Sequence, residues 1–228
     1  EKEEGTFVQP TSSCSSQAVS DQFIVQWTDG HVSVEHADSR EAFLHGIYKD
    51  KYEQIQLAEH DYQVSLHDAW ISNTPVETME GRDPVNWGAT ASQVEPLWRD
   101  LVLGQNVIIA VVDTGSDITH PQLASQIYVN KLEIAGNGID DDKNGYIDDV
   151  SGWNYVNNSA NMKGEVSHGT HVAGIALADH TAGPVFGIAP QAKLLPLKFI
   201  DGNAGYLGYA VEAIDYAAKL AEKANQPL

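Results

Sequence analysis

Beyond the first twenty residues the chain is built of short apolar runs set between polar stretches, and the length and flanks of each run predict an element. FIVQW (23–27) reads as a strand closed by the turn signal DGH. SREAFLHGIY (39–48) reads as a helix with Ser39 as N-cap and Glu41 in its first turn, and IQLAEHDYQVSL (55–66) as a further strand pair. Together they predict a small α+β unit, too small to be very stable alone, so a partner surface is expected. Residues 73–84 hold two prolines, a glycine and mixed charges without periodicity, which marks an exposed linker and a boundary near residue 80.

The remaining chain has a different texture. A helix is predicted around 92–100, then the nearly uninterrupted apolar run VIIAVV (107–112) and a long irregular acidic stretch. A helix opening at His168, the strand KLLPLKFI (193–200) and the helix GYAVEAIDYAAKLAEKA (208–224) follow. Strands that are apolar on both faces and alternate with helices predict a parallel sheet covered on both sides. The fold class expected is therefore α/β, a doubly wound, mostly parallel sheet. Residues 1–20 are rich in Ser, Glu and Gln and are expected to be a disordered lead, because so few large apolar side chains cannot offset the entropy of ordering.

Composition changes this picture in three ways. With 42% hydrophobic and 20% charged residues the 228-residue chain is of ordinary globular type. Its 13 Lys and Arg face 32 Asp and Glu, a net charge of −19, which opposes binding to nucleic acid, anionic membrane or acidic substrates. No apolar run approaches the roughly 18 residues of a membrane span. The single cysteine, Cys14, excludes an internal disulfide and is expected to be an exposed thiol. The start at Glu1 without Met leads to the expectation that a leader has been removed, and with it a secreted or periplasmic location.

Two segments carry candidate chemistry. In VIIAVVDTGSDITHP the strand stops at Asp113, and the carboxyl ends of strands in open α/β sheets are where ligand crevices lie. Taken alone, Asp113 is better read as merely terminating a strand or capping a turn. VSHGTHVAGIALA places His168 and His171 three apart, on neighbouring positions of one helical face. That spacing suits a metal pair or one catalytic histidine with a structural neighbour. HGTH lacks the carboxylate of the H-E-x-x-H zinc pattern.

VVDTGSDITHPQL (111–123), SHGTHVAG (167–174) and GIAPQAKLLPLKFI (187–200) together resemble the aspartate motif, the histidine motif and the following strand of the subtilisin-like serine proteases, or subtilases (peptidase S8). The resemblance runs from about residue 85 to the end. It implies Asp113 as the acid of an Asp-His-Ser triad and His168 as the general base, in the chain order of that family. A serine hydroxyl becomes a nucleophile when an imidazole takes its proton and a buried carboxylate holds that imidazole in the right tautomer. The family's serine lies in a G-T-S-M-A-like turn, and neither Ser116 nor Ser167 has that context. The 228 residues alone are thus expected to be inactive, with the missing part of the catalytic domain supplied by the same gene product or a second chain. Residues 21–80 stand where the family has its inhibitory prodomain, an accessory domain being the alternative, and 81–228 would be the front of a catalytic domain acting on polypeptides.

GNGIDDDKNGYIDDVSGW (136–153) matches the front of a calcium loop, with Asp140, Asp142, Asn144, the Tyr146 carbonyl and Asp148 as candidate ligands and Gly145 at the sharp turn. Ser151 stands where the closing glutamate would be. Five close carboxylates repel one another without a cation, which favours calcium over a merely solvated loop. Gln122 stands where some subtilases have a calcium-ligating aspartate. In DGNAGYLG (201–208), Asn203, Ala204 and Gly205 resemble the segment that pairs with an extended substrate, against the simpler reading of a loop between strand and helix. Two rivals remain: an inactive, calcium-binding protease homologue that serves as an interaction module, and a zinc hydrolase using His168 and His171.

Overall fold

The computed structural model describes residues 17–65, 86–162 and 166–224. The linker expected at 73–84, and Cys14, fall outside them. Among the described residues no helix is long and apolar enough to cross a membrane. They divide into two compact units, residues 17–65 with 203–216 and residues 86–202 with 217–224.

In the first unit, strands β1 (Gln17–Trp27), β2 (Val32–His36) and β3 (Ile55–Ser65) lie in the order β2-β1-β3 with β8 (Ala204–Tyr206) beyond β3, and every one of these pairings is antiparallel. The helical stretch between β2 and β3 opens as α1 (Arg40–Phe43), widens to π geometry over Leu44–Tyr48 and closes as α2 (Lys49–Lys51). Ser39 caps it as expected, accepting the Ala42 amide at 3.1 Å. Alternate residues of β1, Phe23, Val25 and Trp27, form a buried cluster with Phe43 and Ala58, and the Phe23 and Phe43 rings stack with centroids 4.4 Å apart. β1 begins at Gln17, inside the stretch expected as a disordered lead, where Gln17 and Ala18 pair with Gln63 and Tyr62.

β3 corrects the expected strand pair: it is one strand of 11 residues. Its mid-strand Asp61, which would favour a turn, is instead fully buried and receives the amides of Tyr62 and Gly208. Gly208 belongs to the first turn of α6 (Leu207–Ala224), so Asp61 caps that helix end from 147 residues away.

The second unit holds a parallel sheet in the order β4-β6-β5, made of β4 (Ile108–Asp113), β6 (Lys193–Lys198) and the two-residue β5 (Trp153–Asn154). β4 and β6 run in register from Ile108 opposite Lys193 to Asp113 opposite Lys198. α5 (Ser167–Leu177) packs on β4, its Ala173 and Leu177 fully buried with Val111, Leu123, Ala192 and Leu194. The single helix expected at 92–100 is two short ones, α3 (Trp87–Ala91) and α4 (Glu95–Arg99). Gln93 between them takes a left-handed φ of 54°, which stops the first, and Pro96 opens the second. β7 (Ile200–Asp201) follows β6 after one residue, Phe199.

Candidate active site

β4 ends on Asp113 and α5 begins beside it. His168, the second residue of α5, points Nδ1 at both carboxylate oxygens of Asp113, 2.8 and 2.9 Å away. The Asp113 side chain is largely shielded, at 13% exposure, while the imidazole is 47% exposed. An ionised carboxylate only accepts, so it holds the proton on Nδ1 and leaves Nε2 as the acceptor. Among the described residues no hydroxyl reaches that Nε2. Ser116 is buried and its Oγ donates to the Gly169 carbonyl at 3.3 Å, and Ser167 is exposed.

The turn after β4 is stitched to the first turn of α5. The Thr114 amide donates to Asp113 Oδ1 at 2.6 Å, its Oγ1 accepts the Gly169 amide at 3.0 Å, and the Asp117 amide donates to Thr170 Oγ1 at 2.9 Å. Two glycines make this approach possible. Gly115 has φ +86°, and a Cβ on Gly169 would collide with the Gly115 carbonyl and stand 3.2 Å from the Asp113 Cβ. Gly115 and Gly169 thus set the spacing of Asp113 and His168.

His171 is exposed. It lines a cavity of about 670 Å³ with Asp117, His120, Thr170 and Ile175. Among the described residues, neither it nor His168 joins a group of three ligand-bearing side chains close enough for one metal ion.

The acidic loop does gather such a group, and it differs from the set read in the sequence. Asp140 and Asp142 come together with Glu133, one oxygen of each lying within 4.8 Å of the others. Glu133 is 8% exposed. Its Oε1 takes the Asp142 amide, while its Oε2 and the Asp142 Oδ1 are buried with no hydrogen-bond partner. Lys223 approaches the other Asp142 oxygen at 3.7 Å. Asn144 accepts the Tyr146 amide and donates to Asp149 Oδ2 at 2.7 Å, and both oxygens of Asp148 accept backbone amides, of Asn137 and Gly138. Tyr146 packs its ring edge-on against Trp153. Gly145 takes the left-handed φ, +97°, that the pattern demands. Burial, with the nearby Asp149 and Asp142, pushes the Tyr128 phenol above its ordinary range. Glu133 was not legible from the sequence because it precedes the spaced carboxylates in an unremarkable polar stretch.

Gln122 is buried and grips the 179–187 loop through its carboxamide, donating to the carbonyls of Asp179 (2.9 Å) and Val185 (2.8 Å) and accepting the Val185 amide. Of the candidate substrate residues, Ala204 and Gly205 lie in β8, paired with Ser65 and Val64 of β3, and Asn203 immediately precedes them.

Residues 104–226 match the subtilase family. The subtilisin-like protease 1 of Plasmodium berghei is 46% identical over 112 residues, covering 47% of this chain and 18% of the relative. That of Plasmodium vivax is 38% identical over 138 residues, 58% of this chain and 22% of the relative. The major intracellular serine protease of Bacillus subtilis is 34% identical over 134 residues, 58% of this chain and 36% of the relative. The chain therefore spans between about a fifth and a third of these relatives. Among solved structures, fervidolysin from Fervidobacterium pennivorans, a keratinolytic enzyme related to subtilisin, superposes with a TM-score of 0.59 at 21% identity, over 93% of this chain and 36% of that one. The shared fold bears out the expected α/β class.

Proposed function

Because this chain belongs to the subtilase family, we propose that it carries the acid–base half of a serine endopeptidase. The observation that supports this most is the Asp113–His168 pair, joined through Nδ1 at the junction of β4 and α5. Asp113 orients the imidazole and stabilises the imidazolium. His168 Nε2 takes the proton of a serine hydroxyl as that oxygen attacks the scissile carbonyl, then returns it to the leaving amine. The serine and the oxyanion donors belong to a further segment of the catalytic domain, so the 228 residues alone do not hydrolyse peptides. The test is to join the chain to such a segment and assay a chromogenic peptide together with a fluorophosphonate probe. Labelling and turnover in the joined protein, both abolished in His168→Ala, are expected. Peptide hydrolysis by the 228 residues that survives His168→Ala overturns the reading.

β8 offers backbone groups to which an extended polypeptide can add as a strand, and in this chain β3 holds them. We assign residues 17–65 the part of an inhibitory lead that occupies the substrate edge at Ala204 and Gly205.

Calcium belongs to the same proposal, at Glu133, Asp140 and Asp142. Two buried, unpartnered carboxylate oxygens are the donors a hard cation takes, and uncompensated they are costly. The ion would supply charge balance and hold the loop. Calcium should raise the melting temperature of the chain and chelator should lower it, while Glu133→Gln should remove most of that response. Equal melting with calcium and chelator refutes the site.

A further inference from the structure

Lys198, the last residue of β6, is 2% exposed and stands in register with Asp113. Lysine is almost never fully buried unless paired. Here its ammonium donates to the Thr114 carbonyl at 3.0 Å and pairs with Asp201 Oδ1 at 3.0 Å. Thr114 is itself buried, and its other two polar groups reach the Asp113–His168 pair from both sides. Its amide holds Asp113 Oδ1, and its hydroxyl oxygen holds the amide of Gly169, the residue after His168. The lysine stem also lies along the turn, since a Cβ on Gly115 would come within 3.3 Å of Lys198 Cβ and Cδ.

We propose that Lys198 is a positioning residue for the Asp113–His168 pair, acting through Thr114. The proposal rests on the reading of that pair as the acid–base half of a protease. The peptide between Thr114 and Gly115 needs a restraint, because Gly115, with φ +86°, resists rotation less than any other residue would. The ammonium supplies it by fixing the carbonyl of that peptide. A methionine at this place would fill the same stem volume, yet leave the Thr114 carbonyl buried without this donor and release the amide that aims Asp113. Arginine would not substitute, since its planar fork does not fit a position shaped around a compact ammonium. Asp201, 60% exposed, anchors the ammonium from the end of β7.

The test uses the whole chain labelled with 15N in its imidazoles. In the unaltered protein the His168 Nδ1 proton, held by a carboxylate, should give a low-field resonance that exchanges slowly. In Lys198→Met that proton should exchange about tenfold faster or more, as the loss of one buried hydrogen bond implies. Asp201→Asn, which leaves the core untouched, should give a smaller change in the same direction. A folded Lys198→Met with unchanged exchange overturns the proposal and leaves the pair intact. If Lys198→Met does not fold, an Asp201→Asn protein with unchanged exchange overturns it instead. Absence of the low-field resonance from the unaltered chain refutes the pair, and the proposal with it.

Discussion

Raising the pH from 5 to 9 should loosen the first unit, and Glu212 is the reason. This glutamate, on α6, accepts the Val34 amide of β2 at 2.7 Å. Burial, reinforced by Asp61, Glu35 and Asp215 and opposed by the Val34 hydrogen bond, pushes its carboxyl from the ordinary 4.5 to about 7. The folded unit thus prefers the protonated acid. Its stabilising contribution is complete below about 4.5 and is lost as pH rises through about 7. Those two values differ by an amount worth about 3 kcal/mol, an upper figure because the unit can relax around the charge. Asp61 is raised too, by burial first, against the Gly208 and Tyr62 amides and His36, so its contribution runs in the same direction. Amide hydrogen exchange at Val34 reads the effect directly. After correction for intrinsic rates, its protection should fall by about two orders of magnitude between pH 5 and 9, following the energy just given. Glu212→Gln keeps an acceptor for Val34 and cannot ionise, so its protection should fall far less across that window. A Glu212→Gln protein whose protection falls as steeply as the unaltered chain's refutes the account.

Two further outcomes follow from close packing. Gly169→Ala should cost about 1–3 kcal/mol in denaturant melts, as overpacking does, and should abolish the His168 low-field proton by driving the helix away from Gly115. Gln122→Ala leaves two carbonyls and one amide of the 179–187 loop without their partner, and should cost about 2 kcal/mol with faster exchange confined to the Val185 amide and its neighbours.

What could be read from the sequence was local. An apolar run ending in Asp-Thr-Gly announced a strand with an acid at its carboxyl end, and Ser39 announced a helix start, because each depends on residues a few positions apart. The Asp113–His168 pair was reached by resemblance, since its members lie 55 residues apart and no spacing rule joins them. Glu133 escaped because its meeting with Asp140 and Asp142 is a matter of loop folding. Residues 55–66 read as a strand pair, and the amide that justifies a buried aspartate within a single strand comes from Gly208. Lys198 carries no signal of its own in the sequence, and only its burial opposite Asp113 shows that its ammonium must find partners indoors.

The pairing of β3 with β8 has a consequence for how the protein is made. Ribosomal synthesis delivers β1, β2 and β3 long before their fourth strand, since Ser65 and Ala204 are 139 residues apart (204 − 65). At roughly 5–20 residues per second, β3 waits about 7–28 s with one flank unsatisfied. During that interval the emerging sheet offers an open edge to any extended chain nearby, including another nascent copy. A ribosome that stalls before residue 204 therefore presents an adhesive intermediate, whereas one that passes it lets the chain close its own sheet.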